Sequence, residues 1–476
     1  MRPGPSQEEI RRQNLGALLR QVHVRGALSR AELTLALGLN RSTIGALTND
    51  LALAGLVREE LPKETGRAGR PSLVVRPESE RVYVYAIAIG VDRMVAARVG
   101  LGGVVLDRRE TVRGRGEPSP TAVVEPLAGF VRQMQRATPA GAYLIGCGVA
   151  IGGMVRRADG MVRLGPHIGW VDAPLGEALA DVLHVETPVS VANGADLAAL
   201  AEHTRGAAMD SDNVIYLHGD VGIGGGIIAG GRSVAGHGGY GGEVGHMVVN
   251  PNGRLCGCGS RGCWETEIGE HALLRAADRD GTGRDGILAV VEAAARGDMV
   301  AQDAIRHVGD WLGFGVANLV NIFNPETVVF GGTLRDVYLA AAAQVRSRIN
   351  RNALPACREH VRLRTPESAR RAAGRSATAR RVACSRPGRV KNIEPASAPN
   401  LPTAAARRPA WVRAAAARSG ANPARAPGTP GTARASARST RAPRRRRPPE
   451  AAAAGRRARH PRPAIPATQV YIHGRQ

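Results

Sequence analysis

The chain has 476 residues, 43% of them hydrophobic, which is enough for two or three domains with buried cores. No run of about 18 apolar residues occurs and the opening MRPGPSQEEIRRQ lacks the apolar stretch of a secretory signal, so a cytoplasmic chain without a membrane span is expected. The net charge of +24 suggests nucleic acid, but it is unevenly placed: residues 366–476 hold 25 basic and 3 acidic residues, whereas residues 1–365 hold 40 and 38. An electrostatic case for DNA binding must therefore come from local clusters in the first 365 residues.

Leu15, Leu18, Leu19 and Val22 form an i, i+3, i+4, i+7 stripe, which predicts an amphipathic helix over 8–24. Ser29 and Glu32 have the spacing of a capping box ahead of a short helix that Gly38 stops. A third helix follows in NRSTIGALTNDLALAGLV, with Ile44, Leu47, Leu51 and Ala54 facing inward and Asn40, Arg41, Ser42 and Thr43 at its exposed start. Two strand-like runs, LVREEL and SLVVRP, are joined by PKETGRAGRP, whose Arg67 and Arg70 sit on a glycine-rich turn able to approach phosphates or a minor groove. Helix, short helix, turn, helix and wing is the order of a winged helix-turn-helix, assigned to 1–76, in which the start of the last helix meets base edges. A small helical interaction module with solvated arginines is the alternative, but stripe, cap, turn and wing agree on DNA.

From 82 to 355, apolar runs such as VYVYAIAIG, YLIGCGVAIGG, NVIYLHGD and ETVVFGG alternate with Ala- and Leu-rich helical segments, the pattern of an α/β protein. Asn193 in VANGADLAALAEH stands at a strand end before a helix, where α/β proteins bind ligands. The six cysteines, three of them within Cys256–Cys263, fit a reduced compartment and metal binding better than a disulfide framework. His246, Cys256, Cys258 and Cys263 supply the donors of a closed, structural Cys3His zinc site, and a buried reactive thiol is the next reading. From about Pro366 the chain turns to Arg, Ala and Pro with hardly any large apolar residue, so 366–476 is expected to be a disordered basic tail. Such a tail could hold phosphates non-specifically, although its text also resembles a GC-rich gene read in a shifted frame, which would remove a final helix.

The run GYGGEVGHMVVNPNGRLCGCGSRGCWE, with DVGIGGGIIAGG before it and NIFNPETVVFGGTL after it, closely resembles the ROK family of sugar kinases and sugar-responsive repressors. The resemblance covers most of 82–355, and the winged helix ahead of it is similar to the repressor branch. It implies a two-lobed actin-like, ribonuclease-H-like α/β fold over 82–365. It further implies zinc on His246, Cys256, Cys258 and Cys263, and sugar hydroxyls bound by Asn193, Glu243, His246 and Glu265. The family's kinases carry an Asn-Asp pair where this chain has Asn193 and Gly194, so the catalytic base is missing. In the first phosphate loop Ala88 replaces an Asp; in the second, Gly222, Gly224, Gly225 and Gly226 remain but Val221 stands where kinases offer a hydroxyl. In GPHIGWVDAPL, His167 takes the place of an Asn that usually precedes the Trp.

The expected function is a transcriptional repressor without enzymatic activity. It would bind operator DNA, respond to a sugar or sugar derivative, and act as a homodimer or homotetramer on a palindromic site. An ATP-dependent sugar kinase with an appended DNA-binding domain is the alternative, opposed by Gly194, Ala88 and Val221. A regulator answering to a protein partner is a third, opposed by the retained hydroxyl-binding set.

Overall fold

The computed structural model describes residues 6–62, 72–115, 120–183 and 189–366. The first part is a small module: α1 (Gln7–Arg25), β1 (Leu28–Ser29), α2 (Arg30–Leu37), α3 (Arg41–Leu53), β2 (Val57–Glu60) and β3 (Val74–Pro77). Both first helices start in capping boxes. Ser6 and Glu9 satisfy each other's backbone amides at α1, and Ser29 and Glu32 do so at α2, which ends in left-handed Gly38. Leu18 and Val22 from α1, Leu33 from α2, and Ile44, Leu47 and Leu51 from α3 close one core with Val57 and Val75 of the strands. Ala54 departs from expectation: the helix stops at Leu53, Ala54 is its exposed C-cap, and the further inward place, one turn before Leu51, belongs to Thr48. The Thr48 hydroxyl is satisfied there by donating to the Ile44 carbonyl at 2.7 Å. The sequence pattern misses β1, whose two residues pair with Val74 and Val75 and give the wing a third strand.

The first lobe of the α/β body contains β4 (Val82–Ile89), β5 (Arg93–Gly100), β6 (Val105–Val112), α4 (Pro120–Arg136) and β7 (Tyr143–Ile151). A small three-stranded sheet follows, β8 (Met154–Arg156), β9 (Met161–Gly165) and β10 (Trp170–Ala173), and then α5 (Leu175–Leu183), β11 (Val189–Asn193) and α6 (Gly194–Arg205). The second lobe holds β12 (Val214–Gly219), β13 (Ile223–Ala229) and β14 (Arg232–Ser233). Its helices are α7 (Trp264–Ile268), α8 (Glu270–Ala276), α9 (Gly283–Ala295), α10 (Met299–Phe323), α11 (Thr333–Asn352) and α12 (Pro355–Arg358), with β15 (Thr327–Gly332) before α11 and β16 (Arg362–Arg364) last.

The two large sheets repeat one plan. The first runs β11-β7-β4-β5-β6 and the second β14-β13-β12-β15-β16, each an antiparallel three-strand meander extended by two parallel strands beside its first member. The parallel strands are reached through helices, α4 and α5 in one lobe and α10 and α11 in the other, as right-handed crossovers require. The second-lobe core gathers Leu217, Phe330, Trp264, Leu312 and Val316 around the strands and α10. No described helix is long and apolar enough to cross a membrane.

Candidate functional site

Between β14 and α7 the chain makes a long loop knitted by its own backbone. Val248 bridges Cys263 and Leu255 bridges Arg261, while the Trp264 amide donates to the Met247 carbonyl at 2.8 Å. Gly262 has a positive φ, and a Cβ there would lie 1.6 Å from the Asn250 oxygen, so only glycine permits this crossing. The fold brings His246, Cys256, Cys258 and Cys263 together, with one donor atom from each within 4.8 Å of all the others. Cys256 Sγ lies 3.6 Å from His246 Nδ1, and Cys258 Sγ lies 3.7 Å from Cys263 Sγ. Sulfurs held about 2.3 Å from a tetrahedral zinc are roughly 3.8 Å apart, so the donor set and its edges fit such an ion. No other group of three or more metal-type donors occurs among the described residues.

Glu265, two residues after the last cysteine, is carried into the same place by the first turn of α7. Its Oε1 is 3.6 Å from His246 Nδ1, its Oε2 is 3.6 Å from His167 Nε2, and the Ile223 amide donates to it at 3.4 Å. Burial pushes its pKa up, but contacts with His167 and Cys256 and the nearby His246 outweigh that and hold it at about 2. Glu243 lies half-buried one 3-10 turn before His246, and burial raises its pKa against the pull of that histidine. Three of the four expected sugar-binding residues, Glu243, His246 and Glu265, thus adjoin one another. His167 joins them, and local sequence pattern gave no sign that it would reach Glu265.

Asn193 ends β11 and caps α6. Its Oδ1 accepts from the Ala195 amide at 2.7 Å and the Asp196 amide at 3.4 Å, and its Nδ2 donates to the Gly153 carbonyl at 2.9 Å. Gly194 needs no special backbone, and a Cβ there would meet only the Ile151 carbonyl at 3.7 Å, so the position could carry a side chain. One turn on, Asp196 is 5% exposed with a pKa raised by burial, and Arg157 stands 3.7 Å from it.

The glycines of the second loop are explained by close packing. A Cβ on Gly224 would touch Ala195 Cβ at 3.0 Å, one on Gly226 would sit 2.6 Å from Ala199 Cβ, and one on Gly225 would sit 2.5 Å from Val244. At Gly222 a Cβ would fall 2.2 Å from His167 Nε2 and 2.8 Å from Glu265 Oε2. Beside the first loop, Arg115 joins the lobes. Its Nη2 donates to Asp92 at 2.8 Å, and its Nη1 donates at 3.1 Å to Glu270, a carboxylate only 1% exposed.

In the N-terminal module, Asn40 caps α3 by accepting from the Thr43 amide at 2.8 Å, and the Ser42 hydroxyl also donates to it at 2.8 Å. Asn40, Arg41 and Ser42 are exposed and Thr43 is partly so. Arg67 and Arg70 lie outside the described residues, as does the expected tail beyond Pro366.

A ribonuclease-H-like sheet repeated in two lobes, with a Cys3His cluster beside half-buried carboxylates, is the architecture shared with solved sugar kinases and the regulators built on them. Within that class the chain belongs to the ROK family, whose profile matches residues 84–380. It is 30% identical to the xylose repressor of Bacillus subtilis (strain 168) over 346 residues, 72% of this chain and 87% of that protein. It is 34% identical to a glucokinase of Streptomyces coelicolor (strain A3(2)) over 271 residues, 52% of this chain and 83% of the kinase. Among solved structures it is similar to a ROK family transcriptional regulator, a homologue of the E. coli MLC protein, with 26% identity and a TM-score of 0.60. That likeness covers 75% of this chain and 92% of the other. The matches to the regulators thus cover 72% and 75% of this chain, and the match to the kinase covers 52%.

Proposed function

We propose that this chain is a repressor that binds operator DNA through its N-terminal module and changes its DNA affinity when a sugar or sugar derivative enters the cleft. The observation that supports the reading is the joining of a three-helix module with strands β2 and β3, in which the polar start of α3 is exposed, to a body that keeps Asn193, Glu243, His246 and Glu265 but has Gly194 in place of a base. In this reading His246, Cys256, Cys258 and Cys263 hold zinc as a closed structural site. The metal pins the loop so that the second ring nitrogen of His246 and the carboxylates of Glu243 and Glu265 face a polyol. Asn40, Arg41, Ser42 and Thr43 read the major groove, and Arg67 and Arg70 of the wing reach the backbone or minor groove. A two-fold dimer, or a tetramer built from it, acting in the cytoplasm, suits a palindromic operator.

The test is binding of the full chain to its own upstream DNA and to a scrambled duplex at physiological salt, with competitor DNA to absorb the basic residues beyond Pro366. The comparison is made with and without a panel of monosaccharides and their phosphates. Preference for the native sequence that one sugar alters supports the reading, and a folded protein with no preference overturns it. Arg41→Ala should weaken specific binding by about 1–3 kcal/mol, a factor of roughly 5 to 150, with much less effect on the scrambled duplex. Equal losses on both duplexes would assign Arg41 to phosphate contact instead.

The kinase reading has less support. Phosphoryl transfer depends on positioned polar groups and charge compensation around the phosphates. Here Ala88 and Val221 offer neither, and Asp92 and Glu270 beside them are already engaged by Arg115. Gly194→Asp should fold, since the space is open and an acidic residue at a helix start is favoured by about 0.3–1 kcal/mol. It should show no sugar-dependent ATP consumption above the parent chain. Turnover by that single variant would show that the cleft still binds nucleotide productively.

A further inference from the structure

The N-terminal module touches the body through a contact that lies outside the candidate sugar and DNA sites. At the end of α1, His23 Nδ1 accepts a hydrogen bond from the Gly102 amide at 3.0 Å, across 79 residues of chain. Arg205, the last residue of α6, closes the arrangement: Nη2 donates to the His23 carbonyl at 2.8 Å and Nη1 donates to the Gly102 carbonyl at 3.0 Å. The turn at Leu101–Gly103 is shaped for this fork. Gly102 and Gly103 have φ of +82° and +78°, and a Cβ on Gly103 would lie 1.6 Å from the Arg205 guanidinium. Because His23 accepts at Nδ1, its ring is neutral, and both burial and the charge of Arg205 push its pKa down and keep it so. The covalent link is short, only residues 78–81 between β3 and β4, so at most about 14 Å of chain separates the two bodies.

The other end of α6 lies beside the candidate site, where the Asp196 carboxylate faces Gly242 and its charge reaches Glu243. Asn193 caps it, spending Oδ1 on the Ala195 and Asp196 amides and Nδ2 on the Gly153 carbonyl. A helix of 12 residues is about 18 Å of stiff rod. Its first turns meet β13 as alanine on glycine, Ala195 and Ala199 against Gly224 and Gly226, and Ala199 shares a core with Tyr216 and Ile228 of the strands, so the rod is tightly packed and a displacement at its cap is passed along it. At the far end α1 moves as part of the module, because Leu18 and Val22 share one core with Ile44, Leu47 and Leu51 of α3.

We propose that α6 couples the cleft to the DNA-binding module, with Asn193 as the sensing cap and Arg205 and His23 as positioning residues that fix the module's pose. A polyol that takes up either polar group of Asn193 resets the cap, shifts the helix, and opens or closes the fork on His23 and Gly102. This rests on the sugar-cleft reading for its input, but the fork itself does not.

Two measurements on the full zinc-loaded chain separate these parts. The first is deuterium exchange without sugar or DNA. Arg205→Ala and His23→Ala should speed uptake over residues 100–106 and the last turn of α1, with the α10 and β15 core unchanged. Unchanged uptake in both variants would overturn the fork. The second is the ratio of operator affinity without and with the active sugar, which for coupled sites is typically about 5- to 150-fold. Arg205→Ala should bring that ratio to within twofold of one at unaltered sugar affinity. Arg205→Lys, which keeps the charge but cannot fork between two carbonyls, should fall between. A ratio equal to that of the parent chain would overturn the coupling. Faster exchange in the variants, with no parental response to any sugar, would instead retain the fork and refute the sugar reading, and the coupling with it.

Discussion

Cys258→Ser protein should purify without stoichiometric metal and should lose its sugar response, while its N-terminal module still binds DNA. Cys258 is exposed at the tip of the knitted loop, and its removal leaves three donors where a structural zinc site needs four. Changes one shell out from a metal already cost about 10–100-fold in affinity or activity. On the proposed zinc site, loss of a ligand should therefore cost sugar affinity roughly 100-fold or more, because Glu265 stands two residues from Cys263 and His246 belongs to the same four-donor cluster. DNA binding should survive, since the module has its own core and shares no residue with the loop. Elemental analysis, sugar calorimetry and a mobility shift on one sample check all three. Full metal content, or undiminished sugar affinity in metal-free protein, would remove the metal from the ligand site. A strong chelator should reproduce the variant.

Trp264→Ala should be the most destabilising single change near the site. The indole is fully buried, its Nε1 donates to the Trp311 carbonyl at 2.9 Å, and it lies over Gly315, where a Cβ would come within 2.1 Å of the ring. Truncating such a side chain costs about 3–5 kcal/mol through lost burial and the cavity left behind, a large part of the roughly 5–15 kcal/mol that holds a native domain together. A midpoint lower by roughly 6–20 °C follows if about 2–4 °C accompanies each kcal/mol. Scanning calorimetry would show it, and a shift below 3 °C would mean the cavity collapses without penalty. Because Trp264 sits between Cys263 and Glu265, metal and sugar binding should loosen together, more than in a distant core variant of equal stability loss.

Local pattern carried the helices of the N-terminal module. Stripe, capping box and Gly38 are short-range signals, and the structure realises them at Gln7–Arg25 and Arg30–Leu37. Ala54 failed because the i+3 step from Leu51 carried the helical period one residue past Leu53, where the helix ends. The four-donor cluster was legible because its residues crowd into 18 positions, His246 to Cys263, and their chemistry is specific. What spacing could not show are the contacts made across the fold: His167 against Glu265, Arg115 against Glu270 over 155 residues, and Arg205 against His23 over 182. Each is a side chain meeting a partner supplied by a distant part of the chain, and no periodicity marks such a residue in advance. Asn193 shows the intermediate case. Its place at a strand end was legible, but its use as the cap of α6 depends on how the next turn is built.

The crowding around the second-loop glycines has a consequence for how such chains are classified. Gly224 and Gly226 are needed by a helix that lies against them, and Gly222 by a histidine and a glutamate, whether or not a nucleotide ever enters. A lineage that abandons ATP therefore gains nothing by changing them, since alanine at 226 would drive α6 off its strand. A glycine signature can in this way outlive its chemistry, and a motif search that infers nucleotide use from GIGGG would be reading the footprint of a helix.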